Sequence, residues 1–166
     1  MKPRTENITE LPSVPNARVG LVIARFYPQL GDWLEDGARR ALDACGVAPE
    51  RRIVVTVPGC FELPLAASRL IGFERLDAVV ALGVVIRGAT PHFDYVAGEC
   101  ARGIMAVQLT TGVPIGFGVL TTDTLAQAEE RADPTRGDKG YEATVAALTV
   151  AAIGRDAAPG AIGFRR

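Results

Sequence analysis

At 166 residues the chain has the length of one domain with a substantial buried core. Apolar residues make up 48% and charged residues 22%, and the formal net charge is −1, which gives no electrostatic case for nucleic acid or an anionic membrane as partner. No segment has the uninterrupted apolar length of a membrane span, and the polar, proline-punctuated start through Pro15 does not read as a signal peptide. Cys45, Cys60 and Cys100 are odd in number, widely spaced and without a Cys-x-x-Cys pair. That argues against a disulfide framework or a structural zinc and for a reducing cytoplasm.

Residues 1–17 hold Pro3, Pro12 and Pro15 and have no period, so they read as an extended arm, free or docked on a neighbouring subunit. Residues 18–24 form a short strand. A helix over 32–45 follows, with Leu34, Ala38, Ala41, Leu42 and Cys45 on one face and Gly46 as its stop. The second strand, 52–57, is broken by Pro58-Gly59. A helix over 61–71 then carries Pro64 in its first turn, where no amide is required. The apolar run 78–86 lacks alternation and predicts a strand buried on both faces. Residues 87–91 break it with small residues and a proline, and from His92 to Leu109 Val96, Cys100, Ile104 and Val107 fall on one helical face.

A fourth strand spans 114–120, Thr121-Thr122-Asp123 reads as a cap, and 125–132 forms a short helix. A polar loop over 133–138 leads to a last helix, 140–153, which is apolar almost all round and points to a homo-oligomer. The Ala-, Gly- and Arg-rich residues 154–166 read as a flexible tail, which leaves one α/β domain over 18–153.

Alternating strand and helix predicts a three-layer α/β/α fold with a four-stranded parallel sheet, flavodoxin-like, its crossovers right-handed. Ligands of such sheets lie beyond the carboxyl ends of the strands. Phe26-Tyr27, residues 58–62, residues 87–92 and residues 120–123 therefore converge on one edge. The strand-turn-helix at 83–95 is the most informative stretch. The first amides of a helix favour an anion. Thr90 is placed to cap that helix or donate to a phosphate oxygen, and the only histidine, His92, is adjacent, with Asp94 two residues on. Arg131 and Lys139 bracket the 133–138 loop. They read either as solvated surface cations or as groups for a phosphate and a carbonyl.

The segments Ala24-Arg25-Phe26, Val57-Pro58-Gly59-Cys60-Phe61-Glu62-Leu63-Pro64, the whole of 83–95, Phe117-Gly118-Val119-Leu120-Thr121-Thr122-Asp123 and Gly137-Asp138-Lys139-Gly140 occur in order. Together they resemble the 6,7-dimethyl-8-ribityllumazine synthase family over residues 18–153. The resemblance implies a cytoplasmic transferase of riboflavin biosynthesis. It would condense 5-amino-6-(D-ribitylamino)uracil with 3,4-dihydroxy-2-butanone 4-phosphate, releasing phosphate and water, without metal or organic cofactor. It implies Phe26 stacked on the pyrimidine, Cys60, Phe61 and Glu62 holding the ribityl chain and ring edge, and Val84, Val85 and Ile86 lining the ring site. Ala89, Thr90 and Arg131 would bind the phosphate, His92 would transfer protons, Phe117 would close the ring pocket and Lys139 would lie near the reacting groups. It also implies a pentamer or a multiple of pentamers.

Three positions depart from the family pattern. Tyr27 is larger than usual, Cys60 replaces a small Ala or Ser, and Asp133-Pro134 stiffens the loop after Arg131. Three other readings stay open on the residues alone: a phosphosugar lyase or isomerase with His92 as base, a non-catalytic flavin or ribityl carrier, and a shell protein with a vestigial site. Product formation separates the first reading from these, and tight flavin binding without turnover marks a carrier.

Overall fold

Four apolar runs become four parallel strands in the computed structural model, which describes residues 10–153. The elements are β1 (Val19–Ala24), α1 (Pro28–Ala44), β2 (Arg52–Val57), α2 (Leu63–Phe73), β3 (Ala78–Ile86), α3 (His92–Thr111), β4 (Ile115–Thr122), α4 (Leu125–Ala132) and α5 (Lys139–Ala152). The strand order is β2-β1-β3-β4. The chain moves outward from β1 to β2, then crosses back over β1 to reach β3. A single crossover hand therefore places α1 on one face and α2 on the other.

Packing follows that rule. Leu30, Leu34, Ala38 and Leu42 of α1 join Ala128 and Ala132 of α4 and Ala147 and Leu148 of α5 against Leu21, Ile23, Val80 and Leu82. On the opposite face Leu63 and Ala67 of α2 and Cys100 and Ile104 of α3 cover Val22, Ala24, Val79 and Ala81. The fold is thus three-layer α/β/α, of flavodoxin-like type, with β1 and most of β3 buried on both faces. Among the described residues no helix is long and apolar enough to cross a membrane.

Several boundaries differ from the sequence reading, each for a local reason. α1 starts at Pro28 rather than at residue 32, because a proline at the first helical position gives up no hydrogen bond and has its φ already set. A single 3-10 turn, Cys60–Glu62, precedes α2, which starts at Leu63 rather than Phe61. β4 runs on through Thr121 and Thr122, which pair with Val85 and Ile86. The cap of α4 is accordingly Thr124, whose hydroxyl accepts from the Gln127 amide at 3.2 Å, and not the Thr121-Thr122-Asp123 expected. Of the expected arm, residues 10–17 are described. Val14 and Ala17 sit in the chain's own core, with the Val14 amide donating to the Cys45 carbonyl at 3.0 Å. Residues 1–9 of that arm and the tail 154–166 lie outside the described residues.

α5 lies against α1 with almost no space between the backbones. A Cβ built on Gly140 would stand 2.0 Å from the Leu34 carbonyl oxygen, whereas one built on Gly72 would meet nothing within 4 Å. Gly140→Ala is therefore expected to destabilise the fold by at least the ~1–3 kcal/mol of ordinary overpacking, because backbone rather than a flexible side chain must yield. Gly72→Ala is expected to stabilise it by about 0.4–1 kcal/mol through the unfolded chain. Denaturant midpoints of the two variants check both signs.

Candidate active site

β3 pairs with β1 through Ile23↔Leu82 and then continues to Ile86. Its last three residues overhang the end of β1 by roughly 10 Å at strand rise. β1 and β3 are also where the strand order reverses, so the chain leaves their ends in opposite directions and opens a crevice. That crevice is a cleft of about 610 Å³ lined by Phe26, Tyr27, Pro58 to Glu62, Val84 to Ile86, Gly88, Thr90, His92, Phe93, Tyr95 and Val96. Its size suits a small organic ligand.

Each wall has a local cause. Phe26 leaves β1 just past the last paired residue. It stands 70% exposed, edge-on to Tyr27 with ring centroids 5.1 Å apart. The turn after β2 is drawn onto β3 by a missing side chain: a Cβ on Gly83 would come within 2.5 Å of the Cys60 sulfur. The Cys60 side chain is therefore a buried packing group. The Gly59 amide donates to the Glu62 carboxylate at 2.9 Å, which closes the turn. Phe61, 59% exposed, stands at the rim.

The far wall is the start of α3. Its cap position is Pro91, with no side-chain hydrogen bond to the helix. Thr90 does not cap this end; it lines the cleft together with His92. Next to this wall, Arg87 makes contacts that residue spacing does not reveal. Arg87 donates to Asp123 at 3.0 Å and to Asp94 at 3.2 Å, and its guanidinium lies 4.1 Å from the Phe93 ring centroid. It ties the end of β3, the first turn of α3 and the loop after β4 together, so its charge is already committed. The contacts with Asp123 span 36 residues, beyond the reach of any spacing argument.

The expected site residues fall into two groups. Phe26, Cys60, Phe61, Glu62, Val84, Val85, Ile86, Thr90 and His92 meet in the cleft. Ala89 belongs to the same exposed loop without lining the cleft. Phe117, Arg131 and Lys139 are not among its walls. Phe117 sits on edge strand β4, 43% exposed and paired with Ala81. Arg131, in the last turn of α4, donates to the Gln127 carbonyl at 3.0 Å, and Lys139 pairs with Glu142 at the start of α5. The 133–138 loop joins the helices that carry these two cations. The Asp133 carboxylate accepts from the Thr135 hydroxyl and amide and from Arg136, which holds its carboxyl below the usual range, the Thr135 hydroxyl contributing most. Gly137 folds back so closely that a Cβ there would lie 2.6 Å from the Arg131 Cα.

The cleft thus offers an aromatic face, backbone groups of a tight turn, the start of a helix with a threonine beside it, and an imidazole. That set can bind a planar ring and an anion side by side and move protons between them. A family model described as 6,7-dimethyl-8-ribityllumazine synthase matches residues 16–155. Two proteins of that name, from Yersinia pestis (strain Pestoides F) and Yersinia pseudotuberculosis serotype O:1b (strain IP 31758), are each 50% identical over 137 residues. These residues make up 82% of this chain and 88% of theirs.

Burial sets the chemistry of the cysteines. It pushes the Cys60 thiol from 9.0 up to about 12, with the nearby Cys100 adding to the rise, and Cys100 itself up to about 11. A raised pKa keeps the proton in the folded state, so its contribution to stability is complete below about pH 9 and is lost as pH climbs toward 11 to 12. At about pH 8 the thiolate, which is the reactive form, is suppressed. Cys60 is therefore expected to resist a disulfide reagent in the native protein and to react at once after denaturation, although it borders an open cleft. Rapid native labelling of Cys60, located by peptide mass, would contradict its role as a buried packing group.

Proposed function

The chain belongs to the 6,7-dimethyl-8-ribityllumazine synthase family, transferases of riboflavin biosynthesis, and from that premise we propose that it performs the family's condensation in the cleft. Its substrates are 5-amino-6-(D-ribitylamino)uracil and 3,4-dihydroxy-2-butanone 4-phosphate, and the step is the penultimate one of the pathway. The observation that carries the reading is the meeting of Phe26, the 59–62 turn, Thr90 and His92 at the β1/β3 crevice.

The pyrimidine lies on Phe26 against Val84, Val85 and Ile86. The ribityl chain runs along Cys60, Phe61 and Glu62. The phosphate sits at the start of α3 by Ala89 and Thr90, where unpaired amides favour an anion. The 5-amino group attacks the ketone carbon, and loss of one water gives the imine. Elimination then expels phosphate. The enol left by that elimination tautomerises to a ketone, and the ribitylamino nitrogen closes the second ring on this new carbonyl with loss of a second water. An imidazole can both accept and donate a proton, which fits His92 to the amine and carbinolamine steps. Holding both substrates in one cleft makes their encounter effectively intramolecular.

Phe117, Arg131 and Lys139 complete this chemistry from a second copy of the chain, in a cyclic head-to-tail assembly of the pentameric kind, in which every subunit lends part of a site to a neighbour. Exposed Tyr95, Met105 and Leu109 on α3, together with Phe117, support such an assembly. Residues 18–153 form the catalytic domain, and the cytoplasm is the compartment.

Purified protein supplied with the two substrates is expected to form the lumazine, followed by its absorbance and fluorescence. His92→Ala is expected to lower turnover about 10- to 100-fold with substrate affinities little changed, since positioning survives. Unchanged turnover in His92→Ala would remove the proton-transfer role, and no product from the wild type would refute the activity.

A further inference from the structure

Asp138, the residue before Lys139, has φ 47 and ψ 43, the one left-handed non-glycine backbone among the described residues. It occupies the cap position of α5, where an aspartate ordinarily has extended backbone and accepts from its own helix. Asp138 makes no such cap bond. Its carboxylate turns instead to α1, where both oxygens accept from Arg40, at 3.0 Å and 2.7 Å. Arg40 is itself anchored by Asp36 at 2.8 Å and lies 5.8 Å from the Tyr141 ring centroid. The seat for this pair is a missing side chain, since a Cβ on Gly37 would stand 2.5 Å from the Asp138 carboxylate and 2.8 Å from the Tyr141 amide. With Gly140 pressed on the Leu34 carbonyl, the start of α5 has no slack on either side of Lys139.

We infer that Arg40 is a positioning residue for Lys139: its bidentate grip on Asp138 fixes the left-handed turn from which Lys139 projects, and so aims the Lys139 amine at the reacting groups. The inference rests on the role proposed above for Lys139. A planar two-pronged guanidinium fixes a carboxylate in orientation as well as in place, and aspartate tolerates the left-handed region without preferring it. Without Arg40 the turn relaxes and the amine is misplaced, which costs rate rather than binding.

The test is a set of steady-state measurements of lumazine formation by the whole protein. Arg40→Ala is expected to lower kcat about 10-fold with both KM values changed less than about 2-fold. In a Lys139→Ala background the same substitution should cost nothing further, because the group it aims is gone. Adding Asp138→Gly to Arg40→Ala should regain most of the lost rate, since glycine adopts a positive φ unaided. Full kcat in Arg40→Ala, or losses that multiply in the Arg40→Ala, Lys139→Ala double variant, would overturn the inference while leaving the activity standing. A wild type that forms no lumazine refutes the activity itself, and the inference with it. If Arg40→Ala does not fold, Arg40→Lys carries the same cycle. It keeps a charge but not the fork, and an intermediate loss that vanishes without Lys139 supports the inference, whereas a loss that persists opposes it.

Discussion

The pairing of β1 with β3 is the constraint on which the rest of the structure depends. Parallel strands cannot be joined by a short turn, so setting β3 beside β1 forces the chain to travel over the sheet and back. It also makes β1 a strand with partners on both edges and helices on both faces, buried throughout. Because the order reverses there, the segments leaving β1 and β3 diverge, and the aromatic pair Phe26-Tyr27 after β1 and the chain's only histidine after β3 line one crevice. The overhang of β3 past Ala24 then supplies an apolar back wall of Val84, Val85 and Ile86 at no separate cost in structure.

Glycines decide how closely the second layer of parts approaches that crevice. Gly83 lets the Cys60 turn rest directly on β3, while Gly37 and Gly140 let α5 rest on α1. These contacts are backbone-close, so they fix position in a way that flexible side chains do not. Ion pairs then act as local ties where the glycines leave room: Arg87 at the start of α3 and Arg40 at the start of α5. Both are partly exposed, so their contribution to global stability is small. Their consequence is local: Arg87 ties the first turn of α3, and Arg40 ties the residue before α5 to α1.

Much of the layout was legible in the sequence because it rests on periodicity. The apolar run 78–86 became β3 with its predicted bounds, and the stripe of Leu34, Ala38, Ala41 and Leu42 became the buried face of α1. The ends were less legible, because caps and prolines act through single hydrogen bonds: α1 reaches back to Pro28, and Thr124 rather than the preceding residues caps α4. Least legible were groups whose partners are far away in the chain. Arg40 and Asp138 are 98 residues apart, and no spacing rule links them. The cleft residues from Phe26 to His92 were recovered from strand ends plus resemblance. The resemblance assigns Phe117, Arg131 and Lys139 to the same site, yet a single chain keeps them outside the cleft.

That separation leads to the central claim, a site assembled from two copies of the chain. The direct measurement is activity of mixed assemblies formed by co-expressing His92→Ala and Arg131→Glu chains. An intact site requires an Arg131→Glu chain to offer its His92 beside a His92→Ala chain offering its Arg131, which random mixing provides at about a quarter of sites. Activity is accordingly expected to recover toward about a quarter of wild type, well above either variant alone. Mixed assemblies no more active than the average of the two variants would contradict a shared site and place the whole chemistry within one chain.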